Sequence, residues 1–471
     1  MAKIVKAPKI SNSLLDAITE SKVWGEVNLQ YYFGNQNSLS LDSEFRSSFS
    51  EEFTGNPDAV FAFKSVALKA YNSLSAVTDL NLTRTTDTTK ADLVLVSSSA
   101  PIDEDLEGFF PFPGTSHRAA GDSWQMGVFN SSAEALMATA EKGGGQYASW
   151  TVLHEIGHSM GLLHTHNEDT GEPLAVTGVL DNERYSVMSY NPASGGVKYG
   201  HAVTYMALDI AALQALYGKD DYAEGASTYR LTSVRSASLD LGEGDMSIGR
   251  AYACVWDTGG SDTISVSGGA YSIINLFDAT LNTSGNTGAM ARTLAALKTT
   301  DFYDDLSSVI RKQITSAAYN AGGSFSEILR EGTNGLKGTG GGFSIANGAV
   351  IENAKGGAGD DLLIGNEAKN RFWGGAGDDT IISSSGNDRM KGGAGADTFV
   401  FARGDGHDVI DDFKGEDFIS LVKLAGVTSF SSFKSHAVDT DDGVLLTAGS
   451  DTLLLKGVAE SSLNKGDFLF A

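Results

Sequence analysis

His154-Glu155-Ile156-Gly157-His158-Ser159-Met160-Gly161-Leu162-Leu163-His164 is a complete H-E-x-x-H-x-x-G-x-x-H string. On a helix, His154 and His158 stand one turn apart and project from one face, so both imidazoles can reach a single metal. Glu155 flanks them as a candidate general base. Gly161 can take a left-handed conformation that ends the helix and brings His164 round as a third ligand. Three protein nitrogens leave a fourth position open, the arrangement of a catalytic rather than a structural zinc. The chain has eight His, and five specified positions would coincide by chance on the order of once in 10⁵ such sequences, so ordinary helix residues are a poor explanation.

Working outward, Tyr185-Ser186-Val187-Met188-Ser189-Tyr190 follows the third histidine. A Met in a strand-like run is by itself plain core. After the zinc string, Met188 is expected to form an apolar floor under the metal, with Tyr190 placed to bind the metal or an oxyanion. The remaining histidines, His117, His166, His201, His407 and His436, fall outside ligand spacing and read as ordinary surface or core residues. His166 is the one near enough in sequence to complicate the zinc assignment.

The first ~215 residues read as mixed α/β. Strands are expected at 27–33 and 91–97, and helices at 59–74, 148–160 and 205–217. From about residue 220 the pattern changes to short strands punctuated by Gly, Ser, Asn and Asp, with a helical stretch expected from about Met290 to Leu329. The junction falls near Gly218–Gly225. This gives an α+β multidomain chain with an α/β zinc domain over 1–220, in which 1–20 could be a propeptide, and a calcium-binding domain over 221–471.

Residues 356–400 repeat every nine residues: from Gly356 the five units are GGAGDDLLI-like segments whose eighth position is Leu363, Phe372, Ile381, Met390 and Phe399. The sixth position is Asp361, Asn370, Asp379, Asp388 and Asp397, always an oxygen donor. Three units match the calcium-binding form of this repeat and two are degenerate. Candidate calcium positions are Gly357, Gly359 and Asp361, then Gly374, Gly375, Gly377 and Asp379, Asp388, and Gly392, Gly393, Gly395 and Asp397. Two units per coil would stack rows of Asp, whose repulsion a hard cation would relieve. A flexible Gly/Asp linker would not keep the eighth position apolar.

The net charge is −25, from 59 acidic and 34 basic residues, which argues against a nucleic-acid partner. With Cys254 as its one cysteine the chain forms no internal disulfide. No run of about 18 apolar residues is present to span a membrane, and the first residues lack a Sec-type apolar segment.

The zinc string, YSVMSY and LDIAALQALYG (208–218), then WDTGGSDT (256–263) and FSIANGAVIENA (343–354), together resemble the serralysin family of repeat-bearing metzincin metalloproteases, in order over roughly 145–470. The resemblance implies an N-terminal metzincin protease domain followed by a C-terminal parallel β-roll/β-sandwich. It implies that His154, His158 and His164 bind one Zn²⁺, that Glu155 is the base, and that Tyr190 is a labile ligand stabilising the oxyanion. It also implies structural Ca²⁺ at Asp257, Gly259, Gly260, Asp262 and Glu352, and at Gly225 and Ser227. A secreted, monomeric endopeptidase acting on protein substrates is expected, with a type I exporter reading a C-terminal signal and a proteinaceous inhibitor as partners. Residues 286–335 stand out as an insertion, and the segment 165–184 departs from the family pattern. A calcium-dependent adhesion protein with a vestigial metal site is the competing reading, against which the intact Glu155 and Tyr190 argue.

Overall fold

The computed structural model describes residues 2–34, 57–98, 108–110, 113, 125–130, 147–167, 170–193, 200–233, 240–242 and 245–471, so that His117 lies outside the described residues. The chain divides into two compact units, one of 1–222 with 235–239 and 250–254, and one of 223–234, 240–249 and 255–471.

In the first unit a five-stranded sheet has the order β4-β3-β5-β7-β6, with β3 (Asn28–Gly34), β4 (Asn81–Arg84), β5 (Leu93–Ser98), β6 (Gly108–Phe109) and β7 (Gln125–Asn130). The first four in that order are parallel and β6 runs antiparallel at the edge. A hairpin of β1 (Ile4–Lys6) and β2 (Lys22–Trp24) brackets α1 (Ser13–Asp16), and Asn12 caps that turn through the N–H groups of Leu14 and Leu15. Helix α2 (Pro57–Val77) lays Tyr71 against Tyr31 of β3, ring centroids 4.4 Å apart. Helix α3 (Tyr147–Ser159) carries the first two histidines. Helix α4 (Ala207–Tyr217) buries every side chain but Ala215, as expected of an apolar helix at the centre of a core.

The second unit holds an eleven-stranded and an eight-stranded sheet. Through the repeat region consecutive strands alternate between them. Strands β17 (Asn353–Lys355), β19 (Arg371–Ala376) and β21 (Arg389–Ala394) lie side by side in the larger sheet, and β18 (Asp361–Ile364), β20 (Thr380–Ile382) and β22 (Thr398–Ala402) in the smaller. Pairing is parallel, with Asn353, Arg371 and Arg389 in register on one side and Leu362, Thr380 and Thr398 on the other, so each coil takes two nine-residue units. The eighth positions are all buried, from Leu363 to Phe399, and fill the space between the sheets.

The two sheets differ in what covers their outer faces. Residues 286–335 form four short helices: α5 (Gly288–Leu297), α6 (Asp301–Asp305), α7 (Ser308–Thr315) and α8 (Ala317–Asn320). Met290, Leu294, Leu297, Ile310 and Ile314 pack on Ile273, Leu362, Ile364, Ile382 and Val400 of the smaller sheet. β18 and β20 are therefore buried on both faces, with the runs DLLI and TII. In the larger sheet β19 and β21 alternate exposed and buried, with one face in solvent. The helical stretch expected to Leu329 ends earlier, at Asn320: Glu327–Arg330 is instead strand β14, whose backbone pairs with β13 (Ser272–Asn275), an option that local apolar spacing does not register.

Candidate metal centre

Helix α3 presents His154 and His158 from one face, and the chain then reverses at Gly161, whose φ is +91°. The Gly161 N–H donates to the His158 carbonyl and the Leu162 N–H to the Gly157 carbonyl, which closes the helix end and returns the chain toward His164. The Nε2 atoms of His154, His158 and His164 lie 3.1 Å from one another in all three pairs. These are not hydrogen bonds, because two of the rings have committed their protons elsewhere. His154 Nδ1 lies 2.8 Å from the Val187 carbonyl and His158 Nδ1 2.8 Å from the Leu162 carbonyl, and each can only donate there. Their Nε2 lone pairs therefore point at a common centre.

Electrostatics reinforce this. Burial lowers the His154 pKa to about 3, with the neighbouring His164 and His166 adding to the shift, and burial likewise holds His158 well below the usual imidazole range. Neutral imidazole is the metal-ligating form. Among the described residues these three form the group of His, Cys, Asp or Glu side chains whose ligand atoms lie within 4.8 Å of one another. Three nitrogens at such spacing fit a tetrahedral zinc with Zn–N of about 2.0–2.1 Å.

The base is held from across the sheet edge. The Phe110 N–H, one residue beyond β6, donates to Glu155 Oε2 at 3.0 Å. Burial pushes the Glu155 carboxyl up to about 8, and that single N–H pulls it only partly back.

Below the histidines, Met188 is fully buried. A Cβ on Gly157 would come within 2.9 Å of Met188 Sδ, so the glycine is what lets the turn approach the helix. The turn itself is anchored by Asp209 on α4, whose carboxylate accepts from Ser186 Oγ at 2.6 Å, Val187 N at 2.7 Å and Met206 N at 2.9 Å. Tyr190 is exposed, and its ring centroid lies 4.7 Å from His164 and 5.3 Å from His154.

Several residues of the site carry no motif. Asp181 is buried and accepts from Thr165 Oγ1 (2.5 Å), Ser189 Oγ (2.7 Å) and Asn191 Nδ2 (2.7 Å), tying the strand of chain after His164 to the turn that carries Tyr190. His166, expected as an ordinary residue, stacks on His164 with centroids 4.9 Å apart and stands 3.5 Å from Asp181. His201 forms a buried pair with Glu183 at 2.8 Å beside Trp150, which in turn packs 5.2 Å from His154. Carboxylates and histidines spread along the chain from Thr165 to His201 give no spacing signal before the fold closes.

The N-terminal hairpin is also built into this surround. Leu163 N–H donates to Ile18 O at 2.9 Å, Glu20 N–H to Gly161 O at 2.8 Å, and Trp24 Nε1 to Ser159 O at 2.9 Å.

In the second unit the oxygen-donor positions line up in columns. The N–H of Asp361 donates to Asp379 Oδ1, that of Asp379 to Asp397 Oδ1, and that of Asp397 to Asp417 Oδ1. A second column runs from Asn370 to Asp388 to Asp408. Each of these carboxylates is buried, yet Oδ2 of Asp379, Asp388, Asp397 and Asp408 has no hydrogen-bond partner. Burial and the flanking Asp361 and Asp397 raise Asp379 to about 9, and burial with Asp408 alongside raises Asp388 in the same direction. The glycines Gly374 and Gly392 lie where a Cβ would strike Asp379 Oδ2 and Asp397 Oδ2. Gly375, Gly377, Gly393 and Gly395 have positive φ, whereas Gly357 and Gly359 do not. These orphaned oxygens in a backbone cradle fit a hard cation.

The upstream positions also converge. Ser227 N–H donates to Asp262 Oδ1 at 2.7 Å, Asp262 N–H to Glu352 Oε2 at 2.7 Å and Gly259 N–H to Asp257 Oδ1 at 3.2 Å. A Cβ on Gly260 would meet the Gly225 carbonyl. Asp262 Oδ2 is buried without a partner, and burial raises its carboxyl to about 7.

Comparison with known proteins agrees with this geometry. Residues 58–165 match the family of reprolysin-like metallopeptidases of family M12B, and residues 323–447 match the serralysin C-terminal family of M10 peptidases. The chain is 37% identical over 172 residues to a metalloprotease AprA of Pseudomonas entomophila, 34% of this chain and 33% of that protein. It is 29% identical over 258 residues to a metallopeptidase AprA of Pseudomonas marginalis, 52% of this chain and 51% of that protein. It is 36% identical over 149 residues to serralysin C of Dickeya chrysanthemi, 30% of this chain and 31% of that protein. The matched segments thus span a third to a half of those relatives. No helix among the described residues is long and apolar enough to cross a membrane. With a segment that matches metallopeptidases leading into one that matches the serralysin C-terminal family, the chain is similar to the serralysin-type metalloproteases.

Proposed function

We propose that the chain is a zinc-dependent endopeptidase acting on protein substrates, and that its second unit is a calcium-binding parallel β-roll. The observation that carries the first reading is the convergence of three Nε2 atoms 3.1 Å from one another, two of them fixed as neutral acceptors by the Nδ1 bonds of His154 and His158 to backbone carbonyls. Zinc, when held by His154, His158 and His164, supplies a Lewis acid for the scissile carbonyl and lowers the pKa of water toward neutrality. Glu155 then accepts a proton from the attacking water and returns it to the amine nitrogen as the C–N bond breaks. Tyr190, over the histidines, donates to the oxyanion that develops on the carbonyl oxygen. Met188 and Asp209 keep the floor and the His154 tautomer in place through the Val187 carbonyl.

The two-unit coil and the unpartnered Asp oxygens support the β-roll and its calcium. A secreted location, a type I exporter and a proteinaceous inhibitor rest on the family resemblance.

The test is casein hydrolysis by the full chain with calcium, set against Glu155→Gln and against protein stripped of zinc by a chelator. Glu155→Gln should keep one zinc per chain and lose on the order of 10²-fold or more in kcat. Parent protein that is inert while holding its zinc and calcium would refute the reading.

A further inference from the structure

The larger sheet of the second unit leaves a solvent face with a composition at odds with the rest of the chain. Trp373 on β19 is 37% exposed, and its register neighbours on that face are Lys355 on β17 and Lys391 on β21. Arg371 and Arg389 form the adjacent row, paired directly across the same two strands. Arg371, Trp373, Arg389, Lys391 and Asp411 line a shallow hollow of about 240 Å³ over the backbone at Phe372. On β27 (Asp451–Lys456), Lys456 Nζ lies 3.8 Å from the same Asp411. The lining of the hollow sets three cations, Arg371, Arg389 and Lys391, against Asp411, with Lys355 and Lys456 alongside, in a chain of net charge −25. Lys355, Arg371 and Lys391 have no carboxylate partner among the described residues.

We propose that this face binds a linear acidic polysaccharide, a β-1,4-linked uronate carrying one carboxylate per sugar. Asp411 already shows that a carboxylate fits here: Arg389 grips it in a two-pronged fashion, Nε at 3.1 Å and Nη2 at 2.5 Å. Arg371 offers the same fork one strand away, without a carboxylate partner among the described residues. Trp373 supplies a flat apolar surface on which the face of a pyranose ring stacks, with ammonium groups on either side. Adjacent strands stand about 4.8 Å apart, close to the length of one sugar. Successive β-1,4-linked rings are turned over, so carboxylates on one edge recur at every second sugar, which matches the two strand intervals between Lys355 and Lys391. From β17 to β27 the face spans four strand intervals, about 19 Å, room for about four sugars. A nucleic-acid strand matches less well. Its bases need a series of aromatic platforms, where this face has Trp373 alone among the described residues. The face stays open because the insertion helices cover the other sheet.

Isothermal titration of the full, calcium-loaded chain with a β-1,4-glucuronate hexamer tests this, with a cellulose hexamer and oligothymidylate as comparison probes. The uronate should bind and the neutral hexamer should not. Trp373→Ala, and separately the pair Arg371→Glu with Lys391→Glu, should each weaken binding at least about tenfold. Affinity should fall between about 50 and 200 mM salt. All these side chains are exposed, so calcium-dependent melting and casein hydrolysis should be unchanged in the variants, which separates this site from the peptidase. Absence of binding, equal binding of the neutral hexamer, or variants as tight as the parent would overturn the proposal. Oligothymidylate binding more tightly than the uronate would overturn it in favour of a nucleic-acid surface.

Discussion

Removing calcium should make the stability of the second unit fall steeply as pH rises, with Asp379 as the clearest contributor. Its carboxyl is 1% exposed, accepts one backbone N–H at Oδ1 and has nothing at Oδ2. Burial and the Asp residues above and below raise it from 3.8 to about 9. The native state therefore binds a proton that the unfolded chain releases. The sign follows directly: this contribution is fully present below pH 3.8 and is lost as pH rises toward 9, at about 1.4 kcal/mol per pH unit. By pH 7 Asp379 alone accounts for about 4 kcal/mol, comparable to much of the stability of an ordinary domain. Asp388, Asp397 and Asp408 shift in the same direction and add to it. Thermal melts followed by circular dichroism, with calcium removed by dialysis and then restored, should show a calcium-sensitive transition that is highest near pH 4 and drops toward neutrality. Calcium should flatten the profile, because it stabilises the ionised form. Asp379→Asn should raise the calcium-free transition at pH 7 and bind less calcium. A calcium-free stability that is flat or rises between pH 4 and 7 would refute the reasoning.

Three further outcomes concern the metal centre. Gly157→Ala should destabilise the first unit by about 1–3 kcal/mol, seen as a lower zinc-loaded melting temperature, because the new Cβ meets Met188 Sδ; the double variant with Met188→Ala should lose less than the sum of the two single losses. Asp181→Ala should leave zinc content unchanged while lowering kcat about tenfold or more, since Thr165, Ser189 and Asn191 lose the acceptor that aligns the loops of His164 and Tyr190. Deleting residues 2–20 should lower thermal stability and speed zinc loss to a chelator, because Leu163 N–H loses Ile18 O and the apolar contacts of Leu14, Leu15 and Ile18 go, each worth about 1.5–3 kcal/mol when buried.

Local sequence carried the parts of this protein whose geometry is local. His154 and His158 had to share a helix face, Gly161 had to turn the chain, and a nine-residue period with an apolar eighth position had to stack, because each depends only on neighbouring backbone. Tertiary structure decided the rest. The Phe110 N–H reaches Glu155 across 45 residues, and Asp209 fixes the Met188 turn from a different helix. Asp181 and the His201–Glu183 pair matter through partners that only folding brings within reach. The same holds for residues 286–335, whose helices end at Asn320 because the following segment gains strand pairing at the sheet edge. Which sheet stays open to solvent, and hence whether Trp373 and its flanking cations face water, was likewise set by where those helices pack. Periodicity specifies which side of a strand or helix is apolar; the partner that covers that side is chosen by long-range packing and by the need to satisfy buried polar groups, and neither is written in residue spacing.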